Sequence, residues 1–182
     1  MKKNKVPVII GILSIILLVQ CKNNSKSAQE YDEMERVTLE DKIVWNENTK
    51  LKWTDFQFDP NEKSFVLYTK VGLSGRYNVD NPILFRSKTT FSTTESIVAD
   101  TTNTDDLRIA QAKFDLLEIY RREMVQEVDS IRRLKLENLE KSYFDDMLER
   151  YYDDFSEEWE TYRPITFESL QKVEDKIQNH LE

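Results

Sequence analysis

RIAQAKFDLLEIYRREM, residues Arg108 to Met124, is the stretch on which the fold turns. Ala110, Phe114, Leu117 and Met124 recur at steps of three, four or seven, the spacing of one helical face, and Leu107, Val128 and Ile131 extend the stripe in both directions. From Ile83 to Arg163 there is no glycine or proline to interrupt it. Thr104 is placed to cap this helix, with Asp105 and Asp106 beside its positive end. Over Leu136 to Lys141 the stripe loses phase. A second helix is expected beyond it, with Phe144, Leu148, Tyr151, Phe155, Trp159 and Tyr162 on one side and Pro164 as its stop. TFESLQKVEDKIQNHL supplies a third, buried through Phe167, Leu170, Val173, Ile177 and Leu181.

Upstream the character changes. From Val37 to about Glu95 the chain is rich in β-branched and aromatic residues and is punctuated by Pro60, Gly72, Gly75 and Pro82, which predicts short strands. Phe65, Leu67, Thr69 and Val71 share one face of SFVLYTKVG, with Val66, Tyr68 and Lys70 on the other. LSGRYNVDNP reads as a turn leading to a short strand and a loop, and PILFRSKTTFSTTES as a longer strand whose Thr and Ser residues suit an exposed or edge position. The expected class is α+β: N-terminal antiparallel strands followed by three helices, forming a single domain over residues 37–182.

Three lysines, an apolar run from Val6 to Val19 and the chain's single cysteine, Cys21, open the sequence. The run is fourteen residues long, short of the roughly 20 that cross a bilayer, and reads as an export signal over residues 1–20. Leu18-Val19-Gln20-Cys21 resembles a bacterial lipobox, although the residue at Gln20 is usually small. Lipidation is expected at Cys21, with the membrane as partner through that lipid and the bacterial cell envelope, outer membrane facing the periplasm, as location. Residues 21–36 are polar and read as a lipidated tether, able to reach about 50 Å if extended. Without the three leader lysines, 23 basic side chains face 34 acidic ones, so no nucleic-acid partner is expected. A lone cysteine forms no internal disulfide.

LKWTDFQFDP, Leu51 to Pro60, preceded by KIVW at 42–45, resembles the opening of a bacterial family of predicted secreted zinc-dependent proteases, a domain of unknown function. In that family an S-W-V strand leads to a helix bearing H-E-x-x-H-F-D, then an acid and an arginine. The counterparts here are Ser96 to Val98, then Ile109 to Asp115, Glu118 and Arg121 or Arg122. A later E-T-x-H-G element aligns with Glu160 to Pro164. The resemblance implies a zinc-peptidase-like scaffold without its metal site. Two imidazoles four apart on a helix would hold zinc and the glutamate between would take a proton from the bound water. Ile109 and Lys113 stand at the histidine positions, Ala110 at the glutamate and Arg163 at the later histidine.

Counting donors leads to the same expectation without the family. The only histidine is His180, on an expected fraying helix end, so no typical zinc site and no imidazole base for a nucleophile can be assembled. No cofactor is expected. Asp115 and Glu118 have a structural use at helical spacing, pairing with Arg121, Arg122 or Lys113. The expectation is a non-catalytic, peptidase-like lipoprotein serving as a binding or structural module. Its partner would be a peptide or protein meeting Lys113 and Arg163 through a carboxylate. Two alternatives stand beside it: a hydrolase using carboxylates or partner-supplied metal ligands, and a structural protein oligomerising through the aromatic stripe from Phe144 to Tyr162. The oligomeric state is left open.

Overall fold

A computed structural model describes residues 28–79, 82–136 and 139–181. The leader, Cys21 and the first part of the tether lie outside the described residues. Six strands and four helices follow in the order α1 (Ala28–Thr38), β1 (Lys42–Val44), β2 (Gln57–Phe58), β3 (Leu67–Tyr68), β4 (Val71–Tyr77), β5 (Phe85–Ser92), β6 (Ile97–Val98), α2 (Thr104–Leu134), α3 (Lys141–Thr161) and α4 (Phe167–Leu181). The class is α+β, strands before the main helices. One sheet has the order β1-β5-β4, antiparallel throughout, and a smaller one the order β2-β6-β3, in which β2 runs parallel to β6.

The long helix α2 is the axis of the molecule. Ala110, Phe114, Leu117, Met124 and Val128 of the stripe are fully buried, and Ala112, Leu116 and Ile119 are buried as well. A helix covered over so much of its circumference needs partners on two sides, and α2 has them: the β1-β5-β4 sheet on one, α3 and α4 on the other. Full burial of a Phe or Leu side chain contributes roughly 1.5–3 kcal/mol. Phe91 of β5 packs on Phe114 with ring centroids 6.1 Å apart, so the sheet and helix share one core. Gly75 allows α3 to come close to β4, because a Cβ there would stand 2.5 Å from Cδ1 of Leu148.

Several expectations are corrected. The α2 cap is Asn103, whose side chain accepts from the Asp105 N–H, while Thr104 is the first helical residue. Leu73 to Tyr77 do not turn: they continue β4, paired with β5 from Val71↔Phe91 to Tyr77↔Phe85. What looks like one strand around Leu67 is divided between the two sheets, β3 joining β6 and β4 joining β5. β5 is central, not an edge. Its buried hydroxyls are tolerated because they have acceptors: Thr89 Oγ1 donates to Glu118 and Thr90 Oγ1 to the Gly72 carbonyl.

The segment read as an extended tether is helical from Ala28, giving a fourth helix, α1. It is held by Arg76, which contacts Asp32 and lies over the Tyr31 ring, and by Lys88 at 2.5 Å from Glu35. Phe167, expected in the core, is 73% exposed. It begins α4 ahead of the buried positions Leu170 and Val173. Within the aromatic stripe of α3, Phe144, Phe155 and Trp159 are buried, while Leu148, Tyr151 and Tyr162 are partly buried.

Candidate functional site

Helix α2 carries most of the positions singled out by the resemblance, and the structure places each of them. Ala110 is fully buried and Ile109 packs against the main core. Lys113 is half-buried: its Nζ donates to the Thr69 carbonyl at 3.0 Å and lies 5.9 Å from the Trp159 ring centre. Burial pushes its pKa down to about 8, the charges of Arg163 and Lys70 push the same way, and Glu160 opposes them. Arg163 itself is exposed and pairs with Glu160 at 3.3 Å. Lys113 and Arg163 are nonetheless near enough for the charge of one to be felt by the other. One is engaged inside the fold and the other lies in solvent.

One turn further on, Glu118 is 2% exposed and fully engaged. It accepts from Thr89 Oγ1 at 2.8 Å, from Arg121 Nε and Nη2 at 2.7 and 2.6 Å, and from Arg122 Nε at 3.1 Å. The two arginines follow from spacings of three and four on a helix. Thr89 does not, because it belongs to β5 and only packing of the sheet on α2 brings it there. A carboxylate met by two guanidiniums and a hydroxyl has its lone pairs occupied.

Asp115 departs from expectation. It pairs with neither arginine nor Lys113; it accepts from Trp45 Nε1 at 2.7 Å and from Gln111 Nε2 at 2.8 Å. Burial raises its pKa, and the hydrogen bonds from Trp45 and Gln111 offset part of that rise. Gln111 Oε1 accepts from the Leu51 N–H at 2.8 Å. The aromatic opening, the amide and the acid thus belong to one network that ties the segment from Trp45 to Leu51 onto α2.

Two recesses flank this network. One, of about 400 Å³, lies between the Trp45–Asn48 loop, β5 and the Glu118 cluster. The Arg122 guanidinium stands 5.3 Å from the Trp45 ring centre at its wall, in cation–π range. The Nε of Arg122 donates to Glu118, and the residue lines the recess. The other, of about 360 Å³, is bordered by Asp115, Gln111, Arg108 and Glu174.

Among the described residues, no three His, Cys, Asp or Glu side chains converge as metal ligands. His180 is exposed in the last turn of α4, its Nδ1 2.8 Å from the Lys176 carbonyl. Nor, among the described residues, is any helix long and apolar enough to cross a membrane. Compared with family models, curated proteins and solved structures, the chain gives no match to any of the three.

Proposed function

We propose that this chain is a non-catalytic, peptidase-like lipoprotein of the bacterial envelope, anchored by lipid on Cys21, whose domain acts as a binding or structural module. The observation that carries this reading is the complete engagement of Glu118 by Thr89, Arg121 and Arg122. A general acid or base needs a lone pair or proton facing substrate, and this carboxylate instead joins β5 to α2. Ile109 and Ala110, at the positions where the resembled family has a ligand and a base, supply no donor atoms at all. The recess at Trp45 and Arg122 is the better place for a partner, with a guanidinium in its wall suited to a peptide carboxylate.

Metal analysis of the purified full chain, hydrolase assays on peptide, ester and phosphate substrates, and mass spectrometry of Cys21 test this reading together. The expected outcome is substoichiometric zinc, no turnover, and an acylated cysteine. Tight stoichiometric zinc or turnover overturns the non-catalytic part, and an unmodified Cys21 in the envelope-purified protein overturns the anchor.

One observation favours a second reading, a hydrolase based on carboxylates. Asp115 borders a recess and has a raised pKa, a combination found at general acids. In that case Asp115→Asn abolishes turnover while leaving the fold in place. Under the first reading there is no turnover to lose.

A further inference from the structure

The outward face of the β1-β5-β4 sheet carries positive charge that the described residues only partly cancel. Along β4 and β5 the facing pairs are Gly72 with Thr90, Ser74 with Lys88, and Arg76 with Arg86. Two arginines directly opposite on one face repel. Arg76 is offset by Asp32 and, at 3.8 Å, by Glu35, and Lys88 is offset by Glu35. Arg86 is exposed and, among the described residues, has no carboxylate in ion-pair range. Lys141, at the start of α3, also has none among them.

Helix α1 does not close over this face. Two recesses of about 380 and 570 Å³ remain beside it, and Tyr31, Arg76, Tyr77 and Arg86 line both. Met34 and Lys141 add to the first, Leu84 and Phe85 to the second. Leu84 is 61% exposed and Met34 47%, apolar surface that the fold leaves to water. In the first recess Arg76, Arg86, Lys88 and Lys141 stand against Glu35 and Asp145. This local cation excess lies in a chain whose formal charge is −8.

We propose that this double recess binds a small amphipathic anion, an aryl or alkyl group ending in a phosphate or carboxylate. The Arg86 guanidinium holds the oxyanion, and Tyr31, Tyr77 and Leu84 cover the apolar part. The oxyanion relieves the repulsion between Arg76 and Arg86, which no described carboxylate does from the Arg86 side. The aromatic walls supply the second half of the affinity, because a bare anion must also overcome the field of an acidic protein. Asp32 and Glu35, at the rim, act against a long polyanion. This inference is independent of the reading of α2, since a hydrolase would carry the same recess.

Calorimetric titration of the full chain in non-ionic detergent tests it, with phenyl phosphate as probe and inorganic phosphate and benzyl alcohol as its two halves. Phenyl phosphate is expected to saturate, and to bind at least about tenfold more tightly than either half. Arg86→Gln should weaken it by at least about tenfold, the loss of a charge-assisted pair. Arg86→Lys should fall between, and Lys172→Gln, an exposed change on α4, should match the unaltered chain. Benzoate, run in parallel, ranks the two head groups, and dependence on Arg86 for either supports the site. Absence of saturable binding for both anions overturns the proposal. So does binding that Arg86→Gln leaves unchanged while the variant melts like the parent, or equal affinity for benzyl alcohol.

Discussion

Lys113 and Glu118 lie five residues apart on α2 and meet opposite circumstances. Glu118 is charged and buried, but two arginines and a threonine surround it. Lys113 is drawn into the fold with a single carbonyl acceptor, and burial first, then two repelling neighbours, bring its folded pKa to about 8 from an ordinary 10.5. The direction for stability follows from proton counting. Below the folded value both states are protonated and the full cost of the buried ammonium is present. Between the two values the unfolded chain binds more protons, so stability rises with pH, and above 10.5 the cost is gone. Replacing Lys113 by Met removes this dependence. The melting temperature of the natural chain, relative to Lys113→Met, is expected to climb from about pH 7 to about pH 10.5; parallel profiles would show that the ammonium is solvated. The arginine partners of Glu118 were legible in the sequence as helical spacings of three and four. Thr89 was not, since no local rule connects positions 29 residues apart.

Among the elements, α1 differs from the others in how it is held. Among the described residues, no α1 side chain joins either hydrophobic cluster. Asp32 and Glu35 dock it on Arg76 and Lys88, and Tyr31 meets Arg76 through its ring. Ion pairs at a surface each contribute about 0–1 kcal/mol and are screened by salt. Hydrogen exchange of the α1 amides should therefore accelerate several-fold between about 0.05 and about 1 M salt, with the α2 amides unchanged. Salt-insensitive α1 protection would mean that apolar contacts hold it. α2, α3 and α4 were legible because their apolar periodicity reports burial directly. α1 was not: its sequence, AQEYDEMERVT, is polar enough to suit a solvated chain, and its helix depends on cations located on β4 and β5. The strands were legible as a class but not in their pairing. Gly75 lies within β4, and its missing Cβ leaves room for Leu148 of α3, a neighbour 73 residues away in the chain.

Across the whole molecule, two glutamates clamp the helices together. Glu127 of α2 accepts from Tyr143, Arg150 and Tyr151 of α3, each at 2.8–2.9 Å. Glu158 of α3 accepts from Tyr120 of α2, from Tyr162 at 2.7 Å and from Lys176 of α4 at 2.5 Å. Burial acts to raise both pKa values, yet the hydrogen bonds prevail and hold both below the ordinary 4.5. A carboxylate with a depressed folded pKa contributes stability that is complete above the unfolded value and is lost as pH falls through the folded one. Glu158→Gln should cost about 1–2 kcal/mol at neutral pH. Its cost should shrink below about pH 4.5, as the natural chain loses the same contribution by protonation. Denaturant unfolding of both proteins at neutral and acid pH measures this, and an equal difference at the two pH values would contradict it.

By itself the sequence determined the class of this protein and its chemical limits. Helical periodicity at Leu107 to Ile131 and a strand-rich half before it define the α+β order, because burial patterns are local. The count of one histidine and one cysteine limits the imidazole and thiol donors, because composition needs no geometry. Tertiary structure alone decided what these charged side chains do. Asp115 turned from the expected arginines to Trp45, Glu118 gained Thr89, and Lys113 was drawn to the Thr69 carbonyl. Each of these bonds joins segments far apart in the chain, and only the packing of the sheet on α2 fixes which donors and acceptors meet.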